Sequence, residues 1–395
     1  MDNERDYLAS HPWITFRLDL REAPYELWME LGEVASKIQH VSDTLLPRDV
    51  ASEFLTLSLI KGVQSTTAIE GNTLTEDQVR REVLGQRTND VPPSQEYQQQ
   101  EVRNVVVACN DIAKRILDHS SECELSFELF ASFNRMVLKD LPLEEGIFAG
   151  QIPSANIVVG NYRGAPRKDC QYLLERLSDW INKMENRTDV RFAVLHAILA
   201  HLYFVWIHPF GDGNGRTARL LEILVLGRAG VPLPCAHLLS NHYNKTRSEY
   251  YRQLSLASKK GEMGFIRYAV QGLRDGLVEQ IEIINSHQWR ATWKEHVYES
   301  FDRAYASVSN AARRQRQIAL DLWNYQSGIP VGSIPKMSPR VEKYYDKLSR
   351  NRHRDDIAKL VEMGLADNID GVVFASIKKL LNAQSMPKRI VDGQD

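Results

Sequence analysis

A chain of 395 residues, 43% hydrophobic and 25% charged with a formal net charge of −2 at pH 7, has an ordinary globular composition and length enough for two or three domains. The balanced charge gives no global sign of a nucleic-acid or membrane partner. Cys109, Cys123, Cys170 and Cys235 form no CxxC pair, so neither a disulfide framework nor a zinc site is indicated, and a soluble cytoplasmic enzyme is expected.

The start, Met1-Asp-Asn-Glu-Arg-Asp6, is acidic and lacks the apolar run of a signal peptide. Apolar residues recur at helical spacing over Tyr25–Ile38 and Ala51–Gln64. Thr75 heads a capped helix reaching Arg87, and Asp90-Val-Pro-Pro93 closes an N-terminal region placed at 1–93. Helices follow over Glu96–Leu117 and Phe127–Val137. Ala155–Ala165 reads differently. Ile157, Val158 and Val159 run into Gly160-Asn161 and Tyr162, the pattern of a small β-hairpin, with a loop of weak strand character as the alternative.

Further helices are expected over Cys170–Lys183 and Asp189–Ile207. Phe192–Ile207 is almost wholly apolar, but it is short for a membrane span and His196 and His201 interrupt it, so a buried helix explains it better. His201 lies two helical turns before His208. It is either a contact behind that residue or a satisfied core histidine, and the core reading is preferred. After a glycine-rich loop comes a helix over Arg216–Gly227, then a break at Gly230-Val-Pro-Leu-Pro234, then helices over Ser248–Ser258 and Met263–Ser286.

A catalytic region is thus bounded at 94–290 and a C-terminal region at 291–395. Trp289–Tyr325, across that boundary, is a long charged helical stretch, and Ile334-Pro-Lys-Met-Ser-Pro339 breaks the chain before a compact terminal unit. Val341–Met363 is helical and ends at Gly364. Leu365–Asn368 and Val372–Ala375 flank Ile369-Asp-Gly371, a hairpin signal. Helices followed by a hairpin resemble a winged-helix domain. DNA binding through Arg350, Arg352 and Arg354 is one reading. Glu342, Asp346, Asp355, Asp356 and Glu362 interleave with them, which favours a solvated face or a partner-docking module.

The chemistry concentrates in residues 208–219, His-Pro-Phe-Gly-Asp-Gly-Asn-Gly-Arg-Thr-Ala-Arg. His208 titrates near neutrality, and Asp212 offers hard oxygen ligands to a divalent cation. Gly213, Asn214 and Gly215 let backbone N–H groups face an anion at a helix start. Arg216 and Arg219, three apart, share a helix face. A base, a cation ligand and two arginines beside an anion cradle suit a phosphate-bearing ligand. Upstream, Thr66-Thr-Ala-Ile-Glu70-Gly71 places Thr66 and Glu70 on one helix face, with Gly71 ending the helix.

Over every defining position, residues 208–219 resemble the signature of the Fic family, whose members mostly transfer AMP from ATP to a protein hydroxyl. The resemblance implies a mainly α protein: a Fic-type helical core with a small β-hairpin flap, and a C-terminal winged-helix-like domain. It implies His208 as general base and Asp212 as the Mg²⁺ ligand. Gly213, Asn214 and Gly215 would stabilise the α-phosphate, Arg216 the β-phosphate and Arg219 the γ-phosphate of ATP. Phe210 is structural in this reading. The flap, here Ile157, Val158, Val159, Gly160 and Asn161, would hold the protein target by strand pairing. This chain lacks the family's consecutive flap prolines, keeping only Ala165-Pro166-Arg167. Thr66, Glu70 and Gly71 resemble the family's inhibitory motif, with Glu70 pairing to Arg219 from an N-terminal inhibitory helix. Self-modification and a homodimer are further expectations of the family. A regulatory DNA- or protein-binding module whose core only senses nucleotide is the alternative.

Overall fold

Helices dominate both compact units into which the chain divides, Met1–Ile281 and Glu282–Asp395. The computed structural model describes residues 5–86, 92, 95–118, 124–159, 162–184, 189–305, 307, 309–346 and 351–377.

The first unit opens with α1 (Asp6–Ser10) and α2 (Tyr25–Asp43), which buries Leu27, Leu31, Val34, Ile38 and Val41 along one stripe. α3 spans Arg48–Ile69, beyond the predicted Gln64, because Ser65, Thr66, Thr67 and Ile69 are buried by the surrounding helices. It stops where Glu70 forms the C-cap and Gly71 takes a φ of +102°, a conformation glycine adopts without penalty. α4 (Glu76–Val83) starts at a capping box between Thr75 and Gln78. Its helical residues end at Val83, short of the predicted Arg87, which with most of the Asp90–Pro93 break lies outside the described residues.

α5 (Glu96–Leu117) and α6 (Phe127–Val137) match the expected spans, and Ser126 caps α6 through its side chain to Leu129 N. β1 (Val158–Val159) and β2 (Tyr162–Arg163) pair antiparallel, with Val158 opposite Arg163 and Val159 opposite Tyr162. The expected hairpin is present in place of the loop. Gly160 and Asn161, at its turn, lie outside the described residues. α7 (Arg167–Lys183) begins three residues before the predicted Cys170, directly after Pro166.

α8 (Val190–Ile207) and α9 (Asn214–Arg228) pack on each other at the centre. α2 and α7 cover α8, while α3, α5 and α6 surround α9. α8 is apolar on every face because it is buried on every face, from Ala193 through Phe204. Its length and composition alone would also suit a membrane span, but 78% of it is buried inside the protein. His201 on this helix is fully buried, with Nε2 2.9 Å from the Tyr250 hydroxyl and Nδ1 3.3 Å from Glu222 Oε1. That is a core histidine.

α10 (Leu233–Ala236) and α11 (Leu238–Lys245) follow the Gly230–Pro234 break, which hid them from sequence reading. α12 (Arg247–Lys260) precedes α13 (Met263–Ala304). α13 joins two stretches expected to be separate, since no glycine or proline falls between Ser286 and Ala304.

In the second unit, the stretch expected to be helical through Tyr325 is interrupted after Ala304 and resumes as α14 (Asn310–Leu322), capped by Ser309. β3 (Ile329–Pro330) follows. The helix expected over Val341–Met363 is two helices, α15 (Pro339–Tyr345) and α16 (Arg352–Glu362). β4 (Ala366–Ile369) and β5 (Val372–Ala375) form the expected hairpin, turning on Asp370 and Gly371, both at positive φ. The antiparallel sheet runs β3-β5-β4. Trp293, Phe301, Ile318, Leu322, Ile334, Val341, Leu360 and Val373 share this unit's core. Ile334 is fully buried there, so the proline-containing break at 334–339 lies within the unit rather than at its edge.

Candidate active site

The predicted motif forms a tight loop between two buried helices. His208 is the C-cap of α8, in the left-handed region at φ 50° and ψ 58°. Gly213, at φ +73°, is the N-cap of α9. The helix therefore begins at Asn214, two residues before the predicted Arg216. A Cβ on Gly213 would lie 3.0 Å from Asn134 Nδ2, so both conformation and space select glycine there.

The side chain of Asn214 is buried and turned into the loop. Its Oδ1 accepts from Phe210 N at 3.0 Å, and its Nδ2 donates to Phe210 O at 2.6 Å. It is a clamp across the loop rather than an exposed ligand donor. Phe210 is fully buried against Phe204, the structural position expected of it. Asn134 on α6 supplies a second clamp, donating to Asp212 O at 2.8 Å and accepting from Gly150 N at 2.8 Å.

The Nδ1 of His208 lies 3.3 Å from Val205 O. Donation from Nδ1 to that carbonyl leaves Nε2 with the free lone pair, the tautomer a base requires. Burial lowers the pKa of His208 below its ordinary value, outweighing the bond to Val205 and the negative charges of Glu70 and Asp212, which raise it. The imidazole is therefore neutral at pH 7. If it is the base, kcat/KM for ATP should rise with pH through a midpoint below about 6.5 and then level off. Removing the Glu70 charge should move that midpoint lower still. A pH–rate profile of both proteins checks this, and a midpoint above 7 in either assigns the titration to another group.

Both arginines are held by carboxylates from distant sequence. Arg219, 1% exposed, donates from Nε to Thr66 Oγ1 at 2.6 Å, and from one terminal nitrogen to Thr66 O at 2.9 Å and Glu70 Oε1 at 2.5 Å. For Glu70, burial alone would raise the carboxyl pKa. The positive charge of Arg219, its hydrogen bond and the charge of Arg216 outweigh it and leave that pKa below its ordinary value. The Glu70 carboxylate also sits over the first turn of α9, where a Cβ on Gly215 would meet Glu70 Oε1 at 2.3 Å. An anion approaching that helix start meets the Glu70 carboxylate.

Arg216 donates to Glu101 Oε1 at 2.7 Å and to Asp212 Oδ1 at 3.1 Å. Asp212 Oδ1 also accepts from Gly213 N at 2.5 Å, while its side chain is half exposed. One accessible carboxylate beside an anion site fits a cation such as Mg²⁺, which takes few protein ligands and relies on the ligand's phosphates for the rest. Among the described residues, no cluster of three His, Cys, Asp or Glu side chains forms a metal cage.

The hairpin is fastened to the residues just before His208. Tyr162 Oη donates to Trp206 O at 2.6 Å, Ala165 N to Ile207 O at 3.0 Å, and Gly164 N to Ile157 O at 3.0 Å. A Cβ on Gly164 would come within 2.9 Å of His208 Cβ, so this glycine lets the strand pass beside the base. His11 Nε2 meets Arg163 O at 2.9 Å from behind. Val158, 62% exposed, faces outward. Glu101, Asn134 and His11 carried no sequence signal, because each is a lone polar residue with no neighbouring motif, and Tyr162 was legible only as part of the hairpin.

Residues 124–226 match the Fic/DOC family. The chain is 33% identical over 219 residues to protein adenylyltransferase fic-1 of Caenorhabditis briggsae, a match covering 53% of this chain and 38% of that relative. Among solved structures, a Fic family protein from Desulfovibrio desulfuricans G20 superposes with a TM-score of 0.53 at 20% identity, covering 89% of this chain and 94% of that one. A Fic-1 fragment from C. elegans superposes with a TM-score of 0.54 at 25% identity, covering 66% and 73%. Motif, helical fold and hairpin agree with the Fic/DOC match over residues 124–226.

Proposed function

We propose that the protein transfers AMP from ATP to a Tyr, Ser or Thr hydroxyl of a protein target and is held slow by Glu70. One observation carries this reading. A neutral histidine with a free Nε2 stands at the mouth of a helix N-terminus whose two following arginines face acidic partners. A nucleotide sensor needs the arginines but has no use for the base.

In this mechanism the hydroxyl oxygen attacks the α-phosphorus, His208 Nε2 takes its proton, and the bond to the pyrophosphate oxygen breaks. The N–H groups at the start of α9 and the two arginines stabilise the phosphate charge. Bound at Asp212, Mg²⁺ would neutralise phosphate oxygens and orient the leaving group. The target backbone adds as a strand along the hairpin, which Tyr162 and Ala165 hold in register with His208. Incubation with α-labelled ATP and Mg²⁺ tests the proposal. Covalent label on protein, on this chain first of all, is expected. Reversible binding alone favours the sensor.

For the second unit, the order helix, strand, helix, helix, hairpin supports the winged-helix-like reading. On α16, Arg352 pairs with Asp355 at 3.6 Å and Lys359 with Glu362 at 2.9 Å, while Arg350 lies outside the described residues. Such self-neutralised charges favour docking of a protein over grip on a phosphate backbone. A chain ending at Ile281 should keep self-modification within about threefold and lose target choice, since each unit has its own core. A cut after Pro335 would instead divide the second core. Complete loss of labelling in a folded chain ending at Ile281 would place the second unit in the catalytic machinery. The buried free thiols of Cys109, Cys170 and Cys235 are consistent with a cytoplasmic location.

A further inference from the structure

We infer that Glu101 is a positioning residue for Arg216 and that Asn72 ties it to the end of the inhibitory helix; the inference rests on the adenylyl-transfer reading above. Arg216 is only 5% exposed, so its guanidinium lies where its partners hold it. One terminal nitrogen donates to Glu101 Oε1 at 2.7 Å and the other to Asp212 Oδ1 at 3.1 Å. Of the two carboxylates, Glu101 is the stationary one. Its side chain is 12% exposed on α5, against 50% for Asp212. Its second oxygen, Oε2, accepts from Asn72 Nδ2 at 3.0 Å.

Asn72 is itself fixed, because Nδ2 also donates to Gln98 O at 2.9 Å and Oδ1 accepts from Leu74 N at 3.1 Å. A carboxylate gripped at both oxygens holds a guanidinium plane more tightly than a free one. The Nε of Arg216 is buried and meets no acceptor among the described residues. A buried N–H without a partner is costly, and a phosphate oxygen is an acceptor of the right charge to complete it.

The two glutamates therefore act in opposite senses. Glu70 lies over the helix start and must leave before the triphosphate settles. Glu101 meets Arg216 at a terminal nitrogen, leaves Nε for the ligand, and stays. Asn72 follows Glu70 and Gly71 directly in the chain, so a shift of this helix end that withdraws Glu70 also bears on the aim of Arg216.

The test uses the full chain carrying Glu70→Gly, so that ATP binding is not masked by inhibition. Glu101→Gln keeps the shape and removes the charge, and Asn72→Ala removes the orienting bond together with those to Gln98 O and Leu74 N, so Tm is measured for both. Calorimetry with ATP and Mg²⁺ gives Kd, and labelled ATP gives KM and kcat. Glu101→Gln should raise Kd and KM for ATP about tenfold and change kcat less than threefold, the size expected for losing one charge-assisted bond behind a ligand contact. Asn72→Ala should move both in the same direction, by about threefold. Should Glu101→Gln fail to fold, the Asn72→Ala result decides alone. Unchanged Kd with a lowered Tm makes the pair merely structural and overturns the proposal. Tighter ATP binding overturns it too, by making Glu101 a competitor of phosphate. If Glu70→Gly binds ATP but labels no protein, the transfer reading fails while calorimetry still decides Glu101.

Discussion

Glu70→Gly should incorporate AMP into protein about a hundredfold faster than wild type at equal ATP. The guanidinium of Arg219 is 1% exposed and spends one terminal nitrogen on Glu70 Oε1. The same carboxylate covers Gly215, at the start of α9. A γ-phosphate reaching for Arg219 and an α-phosphate reaching for the α9 N–H groups both meet it. ATP then enters displaced, and a shift of about 1 Å between attacking oxygen and phosphorus costs on the order of 10²-fold in rate. The substitution leaves Arg219 both of its hydrogen bonds to Thr66 but takes away its carboxylate partner, so Tm should fall. The helix end itself should hold, because it already closes on a glycine of positive φ. Initial rates with labelled ATP, with Tm measured alongside, check this. Equal rates in two folded proteins would mean that Thr66–Gly71 is only a helix end.

His208→Ala should lower AMP transfer by about 10²- to 10⁴-fold while ATP still binds with wild-type affinity. The loop that builds the anion site does not depend on the imidazole. Asn214 clamps Phe210, and Asn134 holds Asp212 O. Arg216 and Arg219 keep their partners. Only the proton acceptor is lost, so kcat should fall and Kd for ATP should not move. Histidine and alanine both carry a Cβ at this left-handed position, so the substitution adds little backbone strain. Transfer at the wild-type rate would remove His208 from the role of base. Parallel loss of ATP binding would show that the substitution had collapsed the loop.

Read alone, the sequence was decisive wherever the governing physics is short-range. Residues 208–219 lie in one loop and one helix turn, so their glycines, base, carboxylate and arginines meet by chain connectivity alone. Thr66 and Glu70 share a face because helices repeat every 3.6 residues. Phe192–Ile207 is almost wholly apolar, and a helix of that kind is buried wherever it goes. Helix ends were less legible. α3 runs on to Ile69 because neighbouring helices bury Ser65 to Thr67, and α13 stays continuous across the two stretches expected at Met263–Ser286 and Trp289–Tyr325.

Apart from the pairing of Glu70 with Arg219, which the family resemblance implied, tertiary structure alone decided the partners. Glu70 and Arg219 are 149 residues apart, Glu101 and Arg216 115, and Asn134 donates to Asp212 across 78. A lone glutamate or asparagine on an amphipathic helix carries no local signature of what it will face. Only the packing of α3, α5 and α6 around α9 brings those groups within bonding distance, and there the cost of leaving a buried arginine unpaired makes each contact matter.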